Sequence, residues 1–297
     1  LCYKLLEQGD QVRVLDNLSS GKRENLAEIA PDIEWFEGDL CDSQMLDRCL
    51  RGVEYVLHHA AVASVQTSVE RPLFEQEVNM VGTLSLLEAA RRAGVRRVVF
   101  AASAAAYGND PQVPKREDML PAPESPYAIS KLAGEHYCRV YSTIHGLETV
   151  CLRYFNVFGP RQDPASPYSG VISIFAERMR AGRAPVIFGD GKQTRDFVYV
   201  QDVVAANMLA CRTASARGQI YNIGSGHSVD IRQLVQGLNE ALDTQVEPEF
   251  AAARPGDVRA SLADIGRARA ELAYEPTTDL RAGLRQVVAW MQASAPQ

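Results

Sequence analysis

Three side chains in this 297-residue sequence have types and spacing suited to moving a proton at a substrate oxygen: Ser103, Tyr127 and Lys131. In Tyr127-Ala-Ile-Ser-Lys131 the phenol and the ammonium are four residues apart, which puts them on one face of a helix. A phenol ionises near pKa ~10 in water, too high for a base at neutral pH. A neighbouring ammonium stabilises phenolate and lowers that value. The spacing is also common on solvated helix faces, so by itself it leaves an inert pair open. Ser103 follows the apolar run Arg97–Ala101, where a hydroxyl can share a hydrogen bond with a substrate oxygen while Tyr127 moves the proton. It could equally close a strand in Ala-rich packing. The three in this order, with a further polar strand end at Asn79 or Asn156, are harder to reach by coincidence.

The surrounding pattern supplies elements that could position them. Short apolar runs at Val12–Leu15, Ile33–Phe36, Val53–Leu57, Arg97–Ala101 and Glu148–Leu152 predict buried strands. Between and around them, Leu1–Gln8, Ser43–Leu50, Leu84–Ala93 and Tyr127–His145 read as helices. Near-continuous apolar strands alternating with helices predict an α/β fold, a doubly wound parallel sheet covered on both faces. The second half is less regular. A Pro/Ser loop (Asp163–Gly170), a Gly-Asp-Gly turn within Phe188–Lys192 and helices at Val203–Cys211, Ile231–Leu242 and Leu280–Met291 predict a smaller mixed α/β domain.

In such sheets ligands bind beyond the carboxyl ends of the strands. The segments to read are therefore Asp16-Asn17, Gly38-Asp39-Leu40, His58-His59-Ala60-Ala61, Ala101–Tyr107 and Arg153–Asn156. Asp16 stands where an acidic residue receives adenosine ribose hydroxyls, and its charge would repel a 2′-phosphate, favouring NAD over NADP. A turn-initiating Asx residue is the alternative.

Composition sets outer limits. A formal charge of −6 argues against a partner that is a nucleic acid, because phosphate-tracking proteins concentrate Lys and Arg. Six scattered cysteines without a CxxC pair predict reduced thiols in a cytoplasmic protein and no metal site. No apolar run reaches the ~18 residues of a membrane span, and the first residues do not read as a signal peptide.

Five segments carry a resemblance. Phe-Ala-Ala-Ser-Ala-Ala-Ala-Tyr-Gly (100–108), Ser-Pro-Tyr-Ala-Ile-Ser-Lys (125–131), Leu-Arg-Tyr-Phe-Asn-Val-Phe-Gly-Pro-Arg (152–161), Thr-Arg-Asp-Phe-Val-Tyr-Val-Gln-Asp (194–202) and Arg-Pro-Gly-Asp-Val-Arg (254–259) resemble the UDP-sugar 4-epimerases, extended short-chain dehydrogenases/reductases. The resemblance runs in order over essentially the whole chain. It places Leu1 inside the family's first helix, so that a leading strand and Gly-rich loop are expected upstream. It implies an NAD domain over 1–157 and 200–215 and a UDP-sugar domain over 158–199 and 216–297.

The resemblance also implies roles. Tyr127 would take the proton of the sugar 4′-hydroxyl, Ser103 would share that hydrogen bond, and Lys131 would hold the nicotinamide ribose and keep Tyr127 acidic. Asp16 and Asn17 would meet the adenosine ribose and Asp39 and Leu40 the adenine. Ala60, Ala61 and Asn79 would line the dinucleotide, with Tyr154 near the nicotinamide. Asn156, Arg195 and Arg254 would contact the diphosphate and Asp257 the uridine ribose, in keeping with charge-assisted clamping of a dianion. His58 and His59 receive no role. Ala104 and Ala105 stand where related dehydratases carry an acidic pair, which favours epimerisation. Ser261 matches a gate position where Tyr restricts the pocket to unsubstituted hexoses, so UDP-GlcNAc/UDP-GalNAc interconversion is expected. UDP-glucose/UDP-galactose or UDP-uronate epimerisation is the alternative, and a non-catalytic nucleotide-binding scaffold the alternative of another class. A homodimer packed through Leu84–Ala93 and Tyr127–His145 is also implied.

Overall fold

The computed structural model describes residues 1–164, 166, 170–253 and 258–293. The chain divides into two compact units of equal size: Leu1–Ala106, Ser125–Leu152 and Asn207–Ile220 in the first, and Tyr107–Glu124, Arg153–Ala206 and Tyr221–Gln297 in the second. The second is therefore not the smaller appendage expected from its irregular pattern, and it takes in 107–124, which composition alone did not separate from the sheet segments around it.

The first unit opens with α1 (Cys2–Glu7), β1 (Val12–Asp16) and β2 (Ile33–Glu37), followed by α2 (Ser43–Cys49) and β3 (Tyr55–His58). Two short helices, α3 (Val65–Glu70) and α4 (Pro72–Gln76), lead through a π turn (Glu77–Val81) into α5 (Gly82–Ala93). Then come β4 (Arg97–Ser103), α6 (Pro126–Ile144) and β5 (Glu148–Tyr154). β1 pairs with β2 in parallel, Val12 opposite Ile33 through Asp16 opposite Glu37. β3 and β4 are likewise parallel, from Tyr55 opposite Arg97 to His58 opposite Phe100. A four-stranded sheet runs in the order β3-β4-β5-β9, where β9 is Gln219–Ile223. The expectation of an α/β fold with parallel strands therefore holds, and β4 shows why the pattern was readable: Val98, Val99, Phe100, Ala101 and Ala102 are all buried.

One contact sets the height of α6 above this sheet. A Cβ on Gly134 would come within 2.4 Å of the Phe100 ring, so glycine lets the helix settle directly on β4. The helix begins at Ser125, whose hydroxyl accepts from the Ala128 N–H, with Pro126 in the first turn. The core beneath joins Leu46, Leu86, Leu87, Val98, Phe100 and Cys138.

The remaining elements are β6 (Asn156–Phe158), α7 (Val171–Arg180), β7 (Val186–Phe188), β8 (Thr194–Tyr199), α8 (Val200–Arg212), β10 (Ser228–Asp230), α9 (Ile231–Leu242), β11 (Glu249–Ala251), α10 (Gly266–Leu272) and α11 (Leu280–Ala293). Most of these strands are only three residues long, too short for periodicity to announce them. β8 is central in the second unit, parallel to β6 and antiparallel to β10. Its partner core contains Phe158, Phe175, Met179, Phe197, Tyr199, Leu234, Leu238 and Leu284. α9 starts with a reciprocal cap between Asp230 and Gln233.

Candidate active site

The end of β4 and the first two turns of α6 carry the three residues singled out by their chemistry. Ser103 is the last residue of β4, partly buried, and its Oγ accepts from the Ala105 N–H at 3.1 Å. That bond ties it to the tight turn 104–107, where Ala104 and Ala105 offer no group able to transfer a proton. Tyr127 is the second residue of α6. Burial raises its phenol above the ordinary tyrosine value, while hydrogen bonding from Ser103 pulls it back down. Lys131 is buried one turn on, with Nζ donating to the Ala101 carbonyl at 2.8 Å and lying 5.0 Å from the centre of the Phe100 ring.

Lys131 was expected to keep Tyr127 acidic, yet the phenol is raised, and Ser103 is the group that lowers it. The ammonium itself is pushed down to about 8 by burial, with the Glu75 carboxylate opposing the fall.

Glu75 is the residue that sequence reasoning missed here. It lies on α4 with no exposed surface. Its Oε1 accepts from the Ser130 hydroxyl at 2.6 Å and from the Asn79 amide, and its Oε2 accepts from Gln76 Nε2 at 2.6 Å. No spacing rule links residue 75 to residue 130; only the packing of α4 and the π turn on α6 brings them together. Asn79, expected to line the dinucleotide, is buried in this network and brackets Val62, accepting from its N–H at 2.7 Å and donating to its carbonyl at 3.0 Å. His58, assigned no role, bonds Thr83 Oγ1 at 2.9 Å and is pushed down to about 3 by burial, a neutral packing residue.

The donor and acceptor set at the other strand ends suits an adenosine dinucleotide. Asp16 ends β1 and its carboxylate accepts from the Leu18 N–H at 2.7 Å. A Cβ on Gly21 would stand 3.0 Å from its Oδ2, so the 17–21 loop curls close over the carboxylate. Asn17 donates to Asp39 at 2.7 Å, and Asp39 also accepts from the Cys41 N–H; these bonds, the backbone one first, hold its carboxyl below the usual range. Leu40 is buried beside it, while Ala60 is exposed and Ala61 partly so, side chains too small to block approach to the backbone. Two carboxylates and an amide for hydroxyls, small residues at the end of β3 and a buried ammonium at Lys131 form a set that fits NAD.

In the second unit, Asn156 Nδ2 donates to the Asp196 carbonyl at 3.1 Å, and Arg195 donates to the carbonyls of Thr194 (2.8 Å) and Val258 (2.5 Å). Ser261 is partly buried and its N–H donates to the Thr194 carbonyl at 3.1 Å, which sets residue 261 beside β8. Tyr154, at the end of β5, is partly buried. Arg254 and Asp257 lie outside the described residues. Next to Arg195, Asp196 is fully buried and gathers two segments: it accepts from the N–H and hydroxyl of Ser225 (2.7 Å each), the N–H of Gly226 (3.1 Å) and the N–H of Ala263 (3.0 Å). Its signal in the sequence is the acidic residue inside Thr-Arg-Asp-Phe.

Among the described residues no three His, Cys, Asp or Glu side chains could together hold a metal ion, and no helix is long and apolar enough to cross a membrane.

An α/β unit with parallel strands and carboxylates at the carboxyl ends of β1 and β2 has the layout of a dinucleotide-binding fold. Comparison with known proteins narrows it: residues 1–224 match the NAD dependent epimerase/dehydratase family. The UDP-glucose 4-epimerase of Thermotoga maritima, solved with UDP-glucose, shares 40% identity at a TM-score of 0.94, over 99% of this chain and 94% of that one. The UDP-glucose 4-epimerase of Thermus thermophilus, solved with NAD, shares 39% identity at a TM-score of 0.90, over 99% and 95%. A UDP-N-acetylglucosamine 4-epimerase from Methanobrevibacter ruminantium, in complex with UDP-N-acetylmuramic acid, shares 37% at 0.92, over 96% and 92%. The chain belongs to the NAD-dependent epimerase/dehydratase family, and its cofactor is NAD.

Proposed function

We propose that this protein is a UDP-sugar 4-epimerase in which the first unit binds NAD and the second the UDP-sugar. The observation that carries the reading is the placement of Ser103 at the end of β4 with Tyr127 and Lys131 on the first turns of α6. NAD, when bound, supplies a hydride acceptor for C4′ of the sugar, and its positive charge favours the anion of a nearby phenol. Tyr127 takes the 4′-hydroxyl proton and returns it when C4′ is reduced on its other face. Ser103 shares the hydrogen bond at that oxygen, and Lys131 holds the nicotinamide ribose. Asp16, Asn17, Asp39, Leu40, Ala60, Ala61 and Tyr154 belong to the dinucleotide side, with Asn79 holding the Val62 backbone behind it. Asn156, Arg195, Arg254 and Asp257 belong to the UDP side. Ala104 and Ala105 offer no acid–base pair for eliminating water, which favours epimerisation over dehydration. Tyr127→Phe should lower turnover of UDP-hexose about 10²–10⁴-fold, the usual worth of a positioned acid–base group. Turnover at the parental rate would sink the mechanism.

The sugar we assign is UDP-GlcNAc/UDP-GalNAc, on the strength of the small Ser261 side chain, with UDP-glucose/UDP-galactose the competing pair. Ser261→Tyr should suppress turnover of the N-acetylated sugars more than that of UDP-glucose; equal losses on both would remove Ser261 as the gate. We further assign a homodimer, supported by the outward apolar side chains Ile129, Val140 and Ile144 along α6. A monomeric mass by light scattering would overturn that assignment. The six thiols are all free, in keeping with a reducing, cytoplasmic setting.

A further inference from the structure

We propose that Glu75 is a positioning residue for proton transfer: its buried carboxylate, held by Ser130, Asn79 and Gln76, is the counter-ion of Lys131 and sets the charge balance of the Tyr127–Lys131 pair. The proposal rests on the reading of Tyr127 and Lys131 given above.

A carboxylate with no exposed surface is costly to bury unless donors meet it. This one is met entirely by donors: Ser130 Oγ at 2.6 Å, the Asn79 amide and Gln76 Nε2 at 2.6 Å. An ionised carboxylate is acceptor-only, and each of these contacts is a donor turned towards it. The donors are not arbitrary. Ser130 is the residue before Lys131, and its hydroxyl also lies 3.0 Å from the Tyr127 carbonyl, so the anion is fastened to the turn that carries both reacting groups. Asn79 sits in the π turn Glu77–Val81, and such turns recur at functional sites because they re-aim a side chain within a helix. Gln76 also donates to the Pro126 carbonyl at 3.0 Å, a second fastening to the start of α6.

The charges on the elements packed around Glu75 leave Lys131 as its cation. From α6 come Tyr127, Lys131 and the buried Glu135; from α3 and its end, the exposed Glu70 and Arg71; from the π turn, the exposed Glu77. His58, which feels Lys131, is neutral. Glu75 acts on both members of the pair, favouring the ammonium of Lys131 and opposing the phenolate of Tyr127. Removing the charge therefore moves both titrations the same way. Lys131 loses the anion that offsets part of its burial, and its proton leaves at lower pH. Tyr127 loses a like charge, and its phenol ionises at lower pH. A residue that merely held α4 against α6 would lower stability or turnover without this joint displacement.

The experiment compares the NAD-loaded wild type with Glu75→Gln and Glu75→Asp. Two quantities are read: the pH profile of kcat/KM for UDP-hexose epimerisation, and the pH titration of the Lys131 ammonium, followed by 15N NMR of lysine-labelled protein and assigned with Lys131→Met. Glu75→Gln should shift the alkaline limb and the Lys131 titration midpoint to lower pH by on the order of 1 unit, the usual effect of one nearby charge. Glu75→Asp, which keeps the charge, should hold both near the wild type. If Glu75→Gln does not fold, the Glu75→Met/Ser130→Ala pair, which removes the charge and a donor together, is measured the same way. An unchanged Lys131 titration on loss of the charge would overturn the proposal, as would an Asp variant displaced as far as the Gln variant. Because the titration needs no turnover, a protein inactive on every UDP-hexose would refute the proposed function while leaving the Glu75 result readable.

Discussion

Replacing Asp196 with Asn tests how much of the second unit depends on one buried carboxylate. Oδ1 receives the N–H and hydroxyl of Ser225, each at 2.7 Å, and Oδ2 receives the N–H groups of Gly226 and Ala263 at 3.1 and 3.0 Å. An Asn side chain can keep its oxygen on Ser225, but its amide nitrogen then faces two N–H donors. The loop lies tight against the carboxylate: a Cβ at Gly224 would stand 2.7 Å from Oδ2 and 2.6 Å from the Ala263 Cβ. Two charge-assisted bonds are lost, each worth about 1.5–3 kcal/mol. Relief of burying a charge returns part of that, since burial raises the Asp196 carboxyl above its ordinary value. The net expectation is a loss of about 3 kcal/mol, and at roughly 2–4 °C per kcal/mol a midpoint lowered by about 10 °C. Urea and thermal unfolding followed by circular dichroism measure it. A loss under about 1 kcal/mol would show that the four bonds contribute little beyond solvation, and that the Ser225 and Ala263 segments are held by packing instead.

Three further outcomes follow from the same structure. Arg97, buried on β4, donates to Glu148 and to the carbonyls of Ala210, Cys211 and Thr213, so Arg97→Met should cost about 3–5 kcal/mol and speed hydrogen exchange at the end of α8; unchanged exchange there would contradict the assignment. With Lys131 pushed down to about 8, kcat/KM should fall as pH rises through that value if the ammonium is needed on the cofactor. Folding stability should move the opposite way. Between about pH 8 and the ordinary lysine value the unfolded chain keeps a proton that the folded one has released, so stability rises with pH there, and Lys131→Met should flatten that slope.

In the regular half of the fold, β4 and β5 were the most legible because they are buried along nearly their whole length. β4 and β5 read as apolar runs, and the carboxyl ends of the strands point to Asp16, Asp39 and Ser103. The second half was not legible to the same degree. Its strands β6, β7, β10 and β11 have three residues each, and pairing to distant partners, such as Thr194 to Asp230, holds them rather than local pattern. The α3–α4 segment was missed because its helices have only six and five residues, whereas α7 does carry helical spacing, with Ile172, Phe175, Ala176 and Met179 on its buried face.

The amino-acid sequence by itself determined which groups could do chemistry: Tyr127 and Lys131 share a helix face because their spacing is four, and Ser103 ends a strand because the apolar run stops there. What decides their ionisation is tertiary. Burial raises the phenol that the Tyr/Lys spacing predicted to be lowered, and Lys131 turns its ammonium to the Ala101 carbonyl because Gly134 lets α6 sit on Phe100. Glu75, fifty-five residues from its partner Ser130, enters through helix packing alone. Spacing along a chain fixes direction on one helix, whereas charge state depends on everything that surrounds a group in space.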